Sequence, residues 1–146
     1  MSKMKDTIIT LYVDTTQIIK YSNKKKDKEL VLGCVLICDN HDDVPGREDF
    51  TSYIKSNSKL SWVGAAMYIM TSKEDYVIIK DIKSKKGSKS FIKIYNRKNG
   101  AGSTHIDGHV GKIKDSSPPE EYKIKFMVNS GGVEKKYTID PKIKIF

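Results

Sequence analysis

Apolar and polar positions alternate along most of this chain, most cleanly in its last fifth. Tyr122, Ile124, Phe126 and Val128 are separated by residues that include Lys123 and Lys125. A period of two places the apolar set on one side of an extended strand and the lysines on the other. Asn129-Ser130-Gly131-Gly132 follows, a turn stretch of residues that tolerate positive φ. A second extended run then carries Tyr137 and Ile139, and after it Ile143 and Ile145 alternate with Lys142 and Lys144. Pro118-Pro119 keeps a helix from entering this hairpin, and Pro141 marks an edge or a bend. A hairpin with one apolar face is stable only when another sheet covers that face.

The rest of the chain supplies that cover. Asp6 to Val13 is a β-branched run and predicts a first strand. Asp14 to Tyr21 predicts a short helical turn with Asp14 or Thr15 at its N-cap. Ser22 to Glu29 reads as a charged loop, and the apolar run Leu30 to Cys38 as a strand covered on both faces. Asp39 to Asp49 is a loop, Phe50 to Ile54 a short strand and Leu60 to Met70 the centre of the core, with Trp62, the single tryptophan, at its heart. Tyr76 to Ile82, Ser90 to Tyr95 and Thr104 to Ile113 complete the set of expected strands. About seven to nine short strands, with turn signals roughly every 8–12 residues, predict an all-β, antiparallel β-sandwich of jelly-roll or immunoglobulin-like type. Neither a repeat nor a boundary interrupts it, so residues 1–146 are expected to form one domain. Trp62, Phe126 and Tyr137 are its expected large core residues.

Composition adds one strong signal, a net charge of +9 carried almost wholly by lysine, since Arg47 and Arg97 are the only arginines. Readers of bases and phosphates lean on the bidentate arginine fork, so nucleic acid is a disfavoured partner. The lysines alternate with apolar residues on strands or cluster in turns such as Lys24 to Lys28, as on a solvated surface or a polyanion-binding face. No apolar run approaches the roughly 18 residues that span a bilayer, and Ile8 to Val13 is too short and polar for a signal sequence. The expected location is the cytoplasm, without membrane insertion. Cys34 and Cys38, read on one strand, would lie about 13 Å apart, against the roughly 7 Å limit of a disulfide. They are expected to be free thiols.

Several short motifs resemble one family. Val13-Asp14-Thr15 is followed by Ile18-Ile19. Tyr53-Ile54-Lys55-Ser56-Asn57-Ser58-Lys59-Leu60-Ser61 leads to Trp62. Lys123-Ile124-Lys125-Phe126-Met127-Val128 precedes Tyr137-Thr138-Ile139-Asp140-Pro141 and a last apolar strand. In this order they are similar to the bacterial inclusion-body proteins of the PixA and AidA family. Residues 71–117 show no pattern of that family, and its aromatics before the Asp-Pro are reduced here to Tyr137. The resemblance implies a small, non-enzymatic bacterial β-sandwich, cytoplasmic and abundant under particular growth conditions. Some relatives look like carbohydrate binders, so glycans and copies of the chain itself, as a dimer or larger homo-oligomer, are the partners it implies.

Two constellations could carry chemistry. Asp39, Asn40, Asp42 and Asp43, with His41 among them, gather oxygen donors suited to a hard cation such as calcium, although the spacing is not that of an EF-hand. His105, Asp107 and His109 share one side of a strand and could hold a transition metal or form an acid–base pair. Residues i and i+4 of a flat strand lie about 13 Å apart, so a shared ion needs a bend, for which Gly108 is the candidate. Asn99 to Thr104 lacks the Gly-Lys-Ser/Thr and the helix of a phosphate loop, and no Gly-x-Ser-x-Gly turn is present. Three classes remain: a glycan-binding or self-assembling sandwich, with loops 39–49, 96–104 and 129–134 as the site; a basic polyanion-binding protein; and a purely structural protein.

Overall fold

The computed structural model describes residues 6–68, 74–84, 92–94, 105–111 and 119–146. In chain order its elements are β1 (Thr7–Val13), α1 (Thr15–Ile18), a 3-10 turn (Lys25–Asp27), α2 (Lys28–Leu32), β2 (Val35–Asp39), β3 (Thr51–Ile54), β4 (Lys59–Ala66), β5 (Tyr76–Ser84), β6 (Ile92–Ile94), β7 (His105–Val110), β8 (Glu120–Ser130), β9 (Val133–Ile139) and β10 (Lys142–Ile145). They form two sheets, ordered β2-β1-β4-β7-β6 and β3-β10-β8-β5, with β9 also paired to β8. The expected all-β sandwich is present.

Two pairings depart from a purely antiparallel design. β1 and β4 are parallel, with Ile9 beside Trp62, and so are β10 and β3, with Ile143 beside Ser52. The path of the chain explains the first. β2 turns back antiparallel onto β1, β3 crosses to the other sheet, and β4 returns on the free side of β1 running in its direction.

The alternating residues meet between the sheets. Ile9, Leu11 and Val13 of β1, Leu60 and Trp62 of β4, and Ile106 and Val110 of β7 are buried from one side. Tyr122, Ile124, Phe126 and Val128 of β8 are buried from the other, as their period of two requires. Trp62 is 0% exposed, and its Nε1 donates to Tyr122 Oη at 3.1 Å, so the two sheets share a polar contact inside an apolar core. Burial raises the Tyr122 phenol pKa well above its usual value, so it stays a neutral acceptor. Phe126 and Tyr137 also pack in this core, their ring centres 5.7 Å apart. The sheets approach closely at Gly64, where a Cβ would fall 2.7 Å from the Val77 carbonyl oxygen.

The hairpin turn is tighter than its sequence suggests. Only Gly131 and Gly132 form the loop, at φ 58° and 83°, while Asn129 and Ser130 stay in register opposite Glu134 and Val133. Positive φ at both loop residues is the geometry of a two-residue turn matched to strand twist. β9 and β10 then lie in one continuous register along β8, interrupted at Asp140-Pro141. Proline has no N–H to give, yet the ladder is bridged there by Tyr122 N–H donating to the Pro141 carbonyl at 3.1 Å.

Leu30 to Cys38 is not one strand. Lys28-Glu29-Leu30-Val31-Leu32 is α2, and β2 begins at Val35. These five residues favour helix, and Leu30, 49% exposed, is not covered on both faces as a central strand would be. Cys34 lies between the two elements, and both cysteines are free. The short helix after β1 is where it was expected, with Asp14 at the N-cap position but no side-chain capping bond. Thr15 donates instead to Asp75, which also accepts from Ser130 Oγ and Gly131 N–H. Burial opposes ionisation of Asp75, but these hydrogen bonds outweigh it and hold its pKa below the usual carboxylate value.

Candidate functional site

The acidic loop is drawn into the joint between the sheets. Asp39, at the end of β2, accepts from Ser52 Oγ of β3 at 2.5 Å and from the His41 N–H at 2.9 Å. Asp43 accepts the Tyr53 N–H at 3.0 Å and shares a hydrogen bond with the Asp39 carboxyl. Burial and the neighbouring Asp39 raise its pKa from 3.8 to about 6. Asn40 is occupied with backbone, accepting from Ile8 N–H and donating to the Asp6 carbonyl. His41 Nε2 lies 2.7 Å from Thr7 Oγ1, and Asp42 is exposed. The fold therefore brings Asp39 and Asp43 together but not the four expected oxygen donors. Among the described residues, no three His, Cys, Asp or Glu side chains are grouped as a metal site.

His105, Asp107 and His109 share the outer side of β7. Asp107 accepts from Ser61 Oγ at 2.6 Å and lies 3.7 Å from His105 Nε2. The register with β4 runs unbroken from His109 opposite Lys59 to His105 opposite Val63. Gly108 therefore makes no bulge, and the regular spacing keeps the two imidazoles apart. Loop 96–104, including the glycine-rich Asn99 to Thr104, lies outside the described residues.

A hollow of about 340 Å³ lies elsewhere, between the crossover after β1 and the β9–β10 strand. Tyr137, at the back of it, donates to the Ile18 and Tyr21 carbonyls, both at 2.8 Å, and so fastens the crossover to β9. Burial pushes the Tyr137 phenol up to about 12. Lys24, Lys25 and Lys28 line one side and Lys123 of β8 another. Glu48 accepts the Asp140 N–H at 3.1 Å and pairs with Lys28 at 3.3 Å. The lysine turn is visible in the sequence. Its meeting with Lys123 and Asp140 is not, because a non-local register creates it.

The sheets' outer faces also differ. On the first, Ile8, Thr10, Tyr12, Leu36, Val63 and Ala65 face outward without a charged side chain among them, and Ile8, Tyr12 and Leu36 are 43%, 36% and 38% exposed. On the second, Lys83 stands directly opposite Lys123.

Fold and surface thus define a two-sheet all-β sandwich with a neutral patch over β2, β1 and the end of β4, and lysines across the outer face of the other sheet. No family model and no curated protein matches the chain. Among solved structures it is similar to the crystal structure of an inclusion body protein, PixA, from Burkholderia cenocepacia, with a TM-score of 0.66. The match covers 99% of this chain and 97% of that one at 11% sequence identity. The resemblance read from the short motifs therefore extends to the fold over nearly the whole chain. Among the described residues, no helix is long and apolar enough to cross a membrane.

Proposed function

We propose that this chain is a non-enzymatic protein that assembles with copies of itself through the outer face built by β2, β1 and the end of β4. The observation that carries this reading is the uncharged, apolar character of that face on a chain of net charge +9. Copies of so basic a protein repel one another over most approaches. Pairing neutral face to neutral face buries Ile8, Tyr12 and Leu36 without burying a lysine, and burial of apolar area supplies the attraction. That the similar protein PixA is described as an inclusion body protein agrees with such a role. Sedimentation velocity tests it. The wild type is expected to sediment as a dimer or larger at micromolar concentration, and Tyr12→Lys combined with Leu36→Lys as a monomer. A wild type that stays monomeric at several hundred micromolar overturns the proposal.

Glycan binding is a second reading, supported by Tyr53. The residue is 51% exposed beside a hollow of about 250 Å³ that Asp49 also lines. An exposed aromatic face suits the C–H side of a sugar ring, and a carboxylate suits its hydroxyls. Binding on a glycan array that Tyr53→Ala removes would support this reading, and an empty array would end it.

A further inference from the structure

The hollow beside Tyr137 continues around Asn23 and Thr138 into a second one of about 310 Å³. Lysines reach these two hollows from separate elements: Lys25 from the 3-10 turn, Lys28 from α2, Lys123 from β8, and Lys80, Lys125 and Lys136 around the second hollow. Lys28 has Glu48, whereas Lys25, Lys123, Lys80 and Lys136 form no ion pair among the described residues. Lys83, beside Lys125 and like it in charge, pushes the Lys125 pKa down. Like charges placed opposite each other on neighbouring strands cost stability, as Lys83 and Lys123 are here. Lys83 pairs with Asp81 at 4.0 Å, and an anion in the hollows would offset the charge of Lys123 and Lys125.

The other wall has the opposite character. Asp140 lines it, with its Oδ1 buried and without a hydrogen-bond donor among the described residues, and Glu48 stands beside it. A bare anion would satisfy only the lysine side. A hydroxyl on the same ligand would supply the donor that the carboxylate side lacks.

We propose that this hollow binds a small phosphorylated polyol, its phosphate held by Lys25 and Lys123 and a hydroxyl directed to the Glu48–Asp140 side. Its volume is in the range of small-molecule sites, and ammonium-to-phosphate hydrogen bonds are among the stronger ones. The proposal is independent of self-assembly, which uses the other sheet.

Titration by calorimetry and amide NMR, with ribose 5-phosphate as the probe and inorganic phosphate and free ribose as separating arms, tests it. Saturable binding of ribose 5-phosphate is expected, at least tenfold tighter than inorganic phosphate, with shifts confined to residues 22–28 and 137–140 and the neighbourhoods of Glu48 and Lys123. Lys25→Ala combined with Lys123→Ala should weaken it at least tenfold. Both side chains are exposed, and an unchanged melting temperature confirms folding. Lys59→Ala, on the other sheet, should leave binding intact. No saturable binding at millimolar probe, or an equal loss in Lys59→Ala, overturns the proposal. Inorganic phosphate binding as tightly as ribose 5-phosphate overturns the polyol and leaves a bare-anion site. Duplex DNA that binds in a steeply salt-dependent way and is not displaced by ribose 5-phosphate replaces the proposal with a polyelectrolyte surface.

Discussion

The outer faces of the two sheets rest on one core yet have opposite surface chemistry. Across β2, β1 and the end of β4 the outward residues are neutral, and large apolar side chains are left in water. Across β5, β8 and β9 the outward positions carry Lys83, Lys123, Lys125 and Lys136, and Lys83 and Lys123 stand close enough to Lys125 to lower its pKa. The sheet edges follow the same division. β2 is covered at its outer edge by a bridge between Ile37 and Gly46, whereas β5, the end strand of its sheet, carries lysines. Charge is the commoner way to keep an edge from pairing with a stranger. The net charge of +9 is therefore not spread evenly. It leaves one direction in which copies can approach and another in which anions are drawn.

The largest effect is expected at Trp62, which both faces share. Trp62→Ala should lower unfolding free energy by about 3–5 kcal/mol, because it opens a cavity and strips Tyr122 Oη of its donor. Urea denaturation measures this, and both faces should be lost in one transition. A loss under about 1 kcal/mol would mean that the indole is not the joint.

A smaller effect, confined to the basic side, is expected from Tyr137→Phe. The substitution keeps the ring against Phe126 but leaves the Tyr21 carbonyl without its donor and the Ile18 carbonyl with the Tyr21 N–H alone, at a cost of about 1–3 kcal/mol. Hydrogen exchange should quicken in residues 18–32 and remain slow in β1 and β4. Uniform quickening would show that the crossover is not fastened separately.

The smallest effect belongs to the joint itself. A carboxyl raised from 3.8 to about 6 keeps in the folded chain a proton that the unfolded chain has released. Its contribution to stability is full below about pH 4 and fades as pH rises through about 6. The melting temperature of the wild type relative to Asp43→Asn should therefore be higher at pH 5 than at pH 7. A difference that does not change with pH removes the shared proton from the account. A rise with millimolar calcium at pH 7, absent in Asp43→Asn, would assign the pair to a cation instead.

The sequence was readable wherever a side chain's fate depends on its neighbours two positions away. A β-branched run located β1, alternation located β8 and β9, and the apolar run around Trp62 located the core. It failed at Leu30 to Cys38, where an apolar run of ambiguous period hid α2 and a chain reversal. Parallel pairing of β1 with β4 leaves no local mark, since it depends on where β2 and β3 go. The candidate sites divide in the same way. Their residue types were legible, but Asn40 was already committed to the edge of β1, and the straightness of β7 keeps His105 from His109. The lysine turn and Lys123 become one place only through Tyr137, whose two carbonyl partners lie more than a hundred residues back in the chain.

The parallel pair of β3 and β10 has a consequence for how the molecule comes into being. Among the described residues, β3 meets its sheet through β10 alone, and their partners are about ninety residues apart along the chain. At ordinary translation speeds, roughly ten seconds separate the appearance of Thr51–Ile54 from that of Lys142–Ile145. Until then β3 is a strand waiting for its neighbour, and closing so long a loop is slow in free energy as well as in time. The β2-β1-β4 sheet, whose partners lie closer in sequence, can order first and serve as the surface on which the lysine-bearing sheet is later laid down.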